Sequence, residues 1–255
     1  MNYLADNKRK IIAFYIILYM IFIVTELPAK IIPYFIPANA GVKIMGLQGS
    51  LWSGQATQIA YKQQEPVNNV KWSVSWFSLF LLKIKLNVAF NNNKQISGQG
   101  AVAIGFSGIS VEDMTINTNA NELIKLSKQI IPAKVSGPVA IVIKHATQGQ
   151  PYCSELNARI NWKKAIITAD AIAIKLNNPI VNIKCDRGEV IAKLTQNSNE
   201  ITSNATVELK AGNIYKLNGS VKAKDKLDPN IKQLLGFIGS KQADGSIPFN
   251  ISGKL

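Results

Sequence analysis

The stretch ITSNATVELK, residues 201–210, alternates apolar or small side chains with polar ones over its whole length. The odd-numbered positions carry Ile201, Ser203, Ala205, Val207 and Leu209, whereas every even-numbered position is polar. Successive side chains of a β-strand point to opposite faces, so a period of two predicts a strand with one apolar and one polar face. This stretch therefore indicates an antiparallel sheet.

The same alternation recurs along much of the chain after Gly41. The clearest further examples are residues 82–90, 156–163, 181–186 and 215–223. A long sheet with one apolar face must roll up or pack on itself, and a groove, a half-barrel or a sandwich would each satisfy that need. We therefore predict a mainly β fold, built on a curved antiparallel sheet with one apolar face.

Two stretches depart from the period of two. Residues 121–130 place apolar side chains at helical spacing before Pro132, and residues 228–237 begin with Asp228 as a candidate N-cap followed by Pro229. An N-cap carboxylate followed by proline at the first helical position is a typical helix start. We predict two short connector helices.

The composition excludes several classes of protein. A single histidine, His145, and two cysteines leave too few side chains for a metal site or a Ser/His/Asp triad. The net charge is +14, from 29 Lys and Arg against 15 Asp and Glu, but only three of these cations are arginine, the residue that nucleic-acid readers favour. We predict no enzymatic activity, no cofactor, no metal and no nucleic-acid partner. The scattered lysines form either a solvated face or a surface for anionic lipids or acidic proteins.

The N-terminal segment indicates the compartment. Residues 11–24, IIAFYIILYMIFIV, are uncharged and follow Lys8, Arg9 and Lys10 directly. This pattern suits a cleaved signal peptide or a signal anchor, and the lack of a nearby small-x-small cleavage site favours the anchor. The positive-inside rule then predicts a cytoplasmic tail over residues 1–10, a single transmembrane anchor over 11–27, a juxtamembrane spacer over 28–40 and a periplasmic β-rich domain over 41–255.

The two cysteines, Cys153 and Cys185, fit an oxidising compartment. An even number of cysteines in such a compartment favours a disulfide, and two unpaired buried thiols are the alternative. Their separation is far from the Cys-x-x-Cys spacing of redox sites. We predict that the two residues are joined.

The segment GLQGSLWSG, residues 46–54, is the most distinctive motif of the chain. Glycines inside a strand mark bulges or close backbone approach, so we interpret this segment as a strand that turns a corner and whose curve Trp52 fills. The residues singled out for a structural or docking role are Gly46, Gly49, Trp52, Gly54 and Trp72.

Several motifs, in this order, resemble the protein N family of the type II secretion system of Gram-negative bacteria. They are GLQGSLWSG at 46–54, Val-Lys-Trp at 70–72 before a Leu-rich strand over 77–82, Gly-Pro-Val at 137–139, Cys-Asp-x-Gly at 185–188, Tyr-Lys-Leu-Asn-Gly at 215–219, Leu-Leu-Gly at 234–236, Asp-Gly at 244–245 and Ile-Ser-Gly at 251–253.

The resemblance implies a non-catalytic, single-pass protein of the inner membrane that supports export of folded proteins across the outer membrane. Its expected partners are other type II secretion subunits and the inner membrane. The family also resembles the large envelope β-sheet proteins of the AsmA type, so the alternative function is a periplasmic lipid-binding or lipid-transfer module. An apolar sheet face that is open instead of sealed would favour that alternative.

Overall fold

The computed structural model describes residues 2–62, 66–80, 82–92, 96–105, 108–127, 133–169 and 172–254. The chain is mainly β, its strands pair antiparallel, and a few short helices interrupt them, as the alternation predicts. It divides into two compact units, residues 1–74 and 75–255, which are described separately.

The first unit begins with helices and ends with strands. Its helical segments are α1 (Asn2–Thr25), a 3-10 helix (Ala29–Ile31), α2 (Ile32–Phe35) and a second 3-10 helix (Ala38–Ala40). Its strands are β1 (Val42–Met45), β2 (Gln48–Gly49), β3 (Ser53–Tyr61) and β4 (Val67–Val74). Strand β3 pairs antiparallel with each of the other three.

Helix α1 contains the apolar run 11–24, which rises only about 21 Å at 1.5 Å per residue. The hydrocarbon core of a bilayer is about 30 Å thick. Among the helices of the described segments, none combines the length and the apolar character that crossing a membrane requires. The transmembrane helix predicted over residues 11–27 is therefore not supported.

The second unit is built on one long open sheet. Its strands, in spatial order, are β5 (Ile84–Asn92), β6 (Ile96–Gly105), β7 (Gly108–Asn119), β9 (Pro138–Gln148), β10 (Cys153–Trp162), β13 (Ile180–Asp186), β14 (Glu189–Asn197), β15 (Ile201–Lys210), β16 (Ile214–Ala223) and β17 (Ile247–Lys254). Every neighbouring pair is antiparallel, and within this unit the order ends at β5 and β17, so the sheet is not closed.

The three remaining strands of this unit form a smaller, separate sheet. It consists of β8 (Lys134–Ser136), β11 (Ala165–Ala169) and β12 (Ile172–Asn177), with β11 in the middle. Because the chain leaves the main sheet to form β8, strand β7 pairs directly with β9.

Both predicted connector helices are present, as α4 (Ala120–Ser127) and α5 (Pro229–Leu235). The end of the first prediction, residues 128–130, lies outside the described residues. At the start of α5, the Asp228 carboxylate accepts a hydrogen bond of 2.8 Å from the Asn230 backbone N–H. That bond satisfies one of the backbone donors that a helix N-terminus leaves unpaired.

The Leu-rich strand predicted over 77–82 is wrong. Residues Trp76–Phe80 form the short helix α3, and β5 begins only at Ile84. The run 76–82, WFSLFLL, does not alternate apolar with polar residues, and Leu82 has φ +54°, which an extended strand does not tolerate.

The main buried cluster of the second unit lies at one end of the sheet. Helix α5 contributes Ile231 and Leu235 to it, and side chains of β12 pack against it from the smaller sheet. The sheet side of the cluster is formed by Ile201, Val221 and Ile247, from β15, β16 and β17. A second layer therefore covers this end of the apolar face.

Candidate functional site

The segment 46–54, which was interpreted as a strand that turns a corner, forms a tight hairpin between β2 and β3. Gly49 pairs with Gly54 across the turn, and the Ser50 N–H donates to the Ser53 carbonyl at 2.9 Å. Gly49 has φ +86°, and a Cβ atom there would lie 2.6 Å from the Ser53 carbonyl oxygen. The turn therefore requires glycine at position 49, both for its backbone angle and for lack of space.

The corner itself is filled by Trp72. Gly54 pairs with Trp72 of β4, and a Cβ atom at Gly54 would lie 2.5 Å from the Trp72 indole ring. The Trp72 Nε1–H donates to the Leu51 carbonyl at 3.1 Å, so the ring is held over the turn by contact and by a hydrogen bond. The absence of a side chain at Gly54 is what lets the indole lie against the backbone.

Trp52, which the sequence analysis assigned to the corner, instead contacts the end of α1. Its Nε1–H donates to the Val24 carbonyl at 2.6 Å. Val24 lies in the last turn of α1, where backbone carbonyls lack helical partners. The side chain of Trp52 therefore satisfies one of these carbonyls.

Two backbone contacts extend the link between the hairpin and the segment after α1. The Leu51 N–H donates to the Leu27 carbonyl at 2.7 Å, and Ser50 forms an isolated antiparallel bridge with Pro28. Gly46, at the other end of the motif, has φ +65° and lies against Thr57, whose hydroxyl a Cβ atom at position 46 would overlap. We call residues 46–54 with Trp72 the tryptophan hairpin.

Cys153 and Cys185 are joined by a disulfide, as predicted, with their Cα atoms 6.1 Å apart. Cys153 begins β10 and is buried, and Cys185 lies near the end of β13. The closed loop has a separation of 32 residues and includes β11 and β12. The bond therefore links two adjacent strands of the main sheet from which the smaller sheet branches.

An exposed apolar patch that the sequence analysis missed lies at one end of β5, β6 and β7. Ile84, Ile104 and Ile109 are cross-strand neighbours, and each is at least half exposed. Phe77 of α3 and Leu82 are exposed by 77% and 71%. We call these five residues the isoleucine patch. The unbroken apolar run 76–82 was the signal that could have indicated it.

The apolar face of the main sheet is only partly covered away from the buried cluster at its end. Ile141, Ile160, Val181 and Leu194 are neighbours across four strands on this face, and all four are half-buried. The residues of the described segments include no large side chain that is less than 2% exposed. Side chains in the middle of this face are therefore partly accessible.

The ionisable groups of the described segments are dispersed. In these segments, no group of three or more His, Cys, Asp or Glu side chains is placed to hold a metal ion. The Glu112 carboxylate pairs with Lys85 at 2.6 Å, and His145 lies 3.9 Å from the exposed Glu155. The pKa of Asp244 lies below its ordinary value because the Ser246 hydroxyl and N–H both donate hydrogen bonds to its carboxylate.

Comparison with known proteins gives consistent matches over nearly the whole chain. The family model described as "Type II secretion system (T2SS), protein N" matches residues 40–250. A type II secretion system protein N from Aeromonas hydrophila is 26% identical over 253 residues, covering 98% of this chain and 99% of the relative. The protein of the same name from Vibrio cholerae serotype O1 is 24% identical, covering 91% of this chain and 93% of its own length.

A third relative, the type II secretion system protein N of Pectobacterium carotovorum subsp. carotovorum, is 23% identical over 240 residues, which is 94% of each chain. No solved structure matches this chain significantly.

Proposed function

The chain belongs to the type II secretion system protein N family, and from that premise we propose that it is a non-catalytic accessory component of the inner membrane that supports export of folded proteins. The observation that carries the proposal is the extent of the match, which spans residues 40–250. The three relatives also align over nearly their full length, so the similarity covers the whole β-rich part and not one motif.

The proposed place at the inner membrane rests on the surface of α1. Every residue from Ile11 to Val24 is exposed, and the large apolar side chains among them are exposed by 41% or more. A helix that is apolar on all sides is stable where an apolar medium surrounds it. Lys8, Arg9 and Lys10 before this run favour a cytoplasmic N-terminus, and the disulfide favours the periplasm for the rest of the chain.

We propose the isoleucine patch as the surface that contacts another secretion subunit. An accessory component of a multi-subunit apparatus needs such a surface, and exposed apolar patches commonly mark protein interaction sites. The patch combines an aromatic ring, Phe77, with four aliphatic side chains on adjacent strands and the neighbouring loop. Aromatic anchors often contribute most to binding at interfaces.

Site-specific photocrosslinking in intact cell envelopes tests this role. A photoreactive residue in place of Phe77 should crosslink to a type II secretion subunit, which mass spectrometry of the adduct identifies. Asn199, an exposed residue in the turn before β15, is the matched control position and should give no such adduct. Adducts that contain no secretion subunit, in cells where the apparatus is assembled, would contradict the proposal.

The alternative function, lipid binding, is supported by the accessible apolar face of the main sheet. Val207, on β15, is 36% exposed on this face, between Ala192 and Leu217 of the neighbouring strands. Apolar surface that a second protein layer does not cover can be covered by acyl chains at a similar gain in free energy, about 25 cal/mol per Å².

Two adjacent positions provide a matched test of lipid binding. Val207→Asn places an amide on the apolar face, whereas Thr206→Asn places one on the polar face of the same strand. If the apolar face holds lipid, the lipid recovered by organic extraction of the purified protein should fall for Val207→Asn only. Equal lipid content in both variants and the parent would count against this alternative.

A further inference from the structure

A concavity on the polar face of the main sheet is lined by several positively charged side chains. It has a volume of about 760 Å³ and is lined by residues of β9, β10, β13 and β14. Four of the lining residues are cationic, namely Lys144, Arg159, Lys184 and Lys193, and none is acidic. We call these four residues the basic cluster.

The strand register brings the basic cluster together. Arg159 of β10 and Lys193 of β14 are both cross-strand partners of Asn182 of β13. Lys184 lies two residues after Asn182 on the same face, which makes it a diagonal neighbour of both cations. Diagonal neighbours in a sheet lie about 7 to 8 Å apart, within the reach of long side chains.

Lys144 joins the cluster at an irregularity of β9. Ile143 pairs with Ala158 and His145 pairs with Asn157, so Lys144 is the additional residue at a shift of register. Bulges of this kind change the direction of a side chain relative to a regular ladder. Here the extra residue contributes a fourth cation to the lining of the concavity.

The charges of the basic cluster are not balanced within the protein. Among the residues whose positions the structure gives, no acidic side chain forms an ion pair with any of the four. Lys210, on the neighbouring strand β15, does have such partners, in Glu189 and Glu208. Cations gathered on one face of a sheet repel one another, so a bound anion would relieve repulsion that the described part of the chain leaves uncompensated.

Polar side chains around the cations supply hydrogen-bonding groups. The Arg159 Nε–H donates to the Asn182 side-chain oxygen at 2.9 Å, which orients the guanidinium. Asn157 and Asn161 also line the concavity, and amide side chains both donate to and accept from hydroxyl groups. A guanidinium with a fixed orientation suits bidentate contact with phosphate.

We propose that the concavity binds an anion that carries two phosphate groups on a hydroxylated, sugar-like frame. Two phosphate monoesters carry a charge of about −3 to −4 at neutral pH, which matches the four cations of the basic cluster. The amides would bind the hydroxyl groups of the frame. A volume of about 760 Å³ is within the range of ligand sites and has room for one or two sugar rings. This site is separate in chemistry from the proposed lipid and subunit contacts.

Calorimetric titration of the purified full chain in neutral detergent tests the site. Glucose bisphosphate should bind more tightly than glucose monophosphate, and glucose should give no measurable heat. The triple variant Arg159→Gln, Lys184→Gln and Lys193→Gln should weaken binding of the bisphosphate about threefold to a hundredfold, because three exposed charge contacts together contribute about 0.6 to 3 kcal/mol.

A second triple variant controls for net charge. Lys216→Gln, Lys226→Gln and Lys254→Gln remove three exposed cations that lie outside the concavity, so this variant should keep the parent affinity. Circular dichroism of all three proteins confirms that they are folded. An unchanged affinity in the first triple variant, or an equal loss in both, would overturn the proposal.

Two further titrations distinguish the source of the ligand. Phosphatidylcholine vesicles that contain lipid A, a bisphosphorylated sugar lipid, should compete with glucose bisphosphate if the site takes the headgroup of a membrane lipid. If only the soluble sugar phosphate binds, the ligand is a free metabolite-like anion, and the site is still supported. An acidic peptide of polyglutamate that binds more tightly than either phosphorylated probe would instead assign the surface to a protein partner and overturn the proposal.

Discussion

Gly54 and Trp72 show how one missing side chain determines the position of another. The Trp72 indole lies against the backbone of Gly54, which also faces the carbonyl oxygens of Gln48 and Ser50 within 3.0 Å of a Cβ position. Two of these three neighbours are backbone atoms, which cannot move away as the end of a flexible side chain can, so an added methyl group would force a shift of the hairpin. The packing of the tryptophan hairpin therefore requires glycine at position 54.

Gly54→Ala should therefore destabilise the protein by about 1 to 3 kcal/mol, the usual cost of forcing an extra carbon into a packed site. The melting temperature in a thermal unfolding experiment measures this loss. Gly105→Ala is the control, because a Cβ atom there would meet only the flexible Lys83 side chain. Equal melting temperatures for Gly54→Ala and the parent would show that the indole moves aside at little cost.

A variant at Trp52 tests whether this side chain stabilises the hairpin or binds a partner protein. Trp52→Phe keeps an aromatic ring but removes the hydrogen bond to the Val24 carbonyl, and should cost about 0.5 to 1.5 kcal/mol. We expect secretion to continue, because the role that the contacts indicate is to hold the hairpin against the end of α1. Unfolding curves measure the stability of the variant, and a secretion assay in cells measures its function. A variant of parent stability that no longer secretes would assign Trp52 to a partner.

At the level of secondary-structure elements, the disulfide between Cys153 and Cys185 is expected to contribute most to the free energy of unfolding. It joins the start of β10 to the end of β13, across a loop that contains both long strands of the smaller sheet. Strands β12 and α5 then meet in the buried cluster, so the position of the smaller sheet affects the covered end of the main sheet. A constraint on this loop restricts the unfolded chain strongly, since loop-closure entropy grows with loop length.

Replacing both cysteines with serine should lower the free energy of unfolding by about 2 to 5 kcal/mol, the usual loss for a native disulfide. Denaturant titration of the purified oxidised protein and of the double variant measures the change. The parent treated with a reductant should fall to the same stability as the double variant. Free thiols that alkylate without prior reduction in the parent would contradict the pairing.

At the level of the whole molecule, the charge before α1 and the disulfide far from it make one joint prediction about topology. As a rule, basic residues before an apolar run favour a cytoplasmic N-terminus, whereas a disulfide favours an oxidising compartment. Both conditions are met if the chain after α1 is exported.

A reporter fused to the C-terminus should therefore be active when it depends on the periplasm and inactive when it depends on the cytoplasm. Lys8→Glu, Arg9→Glu and Lys10→Glu together should reduce export, because they remove the positive charge that sets orientation. N-terminal sequencing of the purified protein should find residues near Met1. A mature protein that begins at Gly41 would show that the apolar run is a cleaved signal.

Local sequence information was sufficient for many elements of this protein. The alternation in 201–210 and its counterparts indicated strands, and Asp228 with Pro229 indicated the start of α5, because these signals depend on neighbouring residues only. The motifs that resemble the protein N family also stand in the sequence itself. The run 76–82 was misassigned because a short apolar segment without alternation fits a strand or a helix equally well.

Only the tertiary structure decided which residues meet across the sheet. Trp52 lies between two glycines in the sequence, but the residue that packs against Gly54 is its cross-strand partner, Trp72. The Trp52 indole N–H donates instead to the Val24 carbonyl. The basic cluster likewise comes from four strands whose cations lie up to dozens of residues apart in sequence. The physical reason is register, since cross-strand pairing is set by long-range packing and turn geometry, and a slip of one residue reverses the face of every side chain.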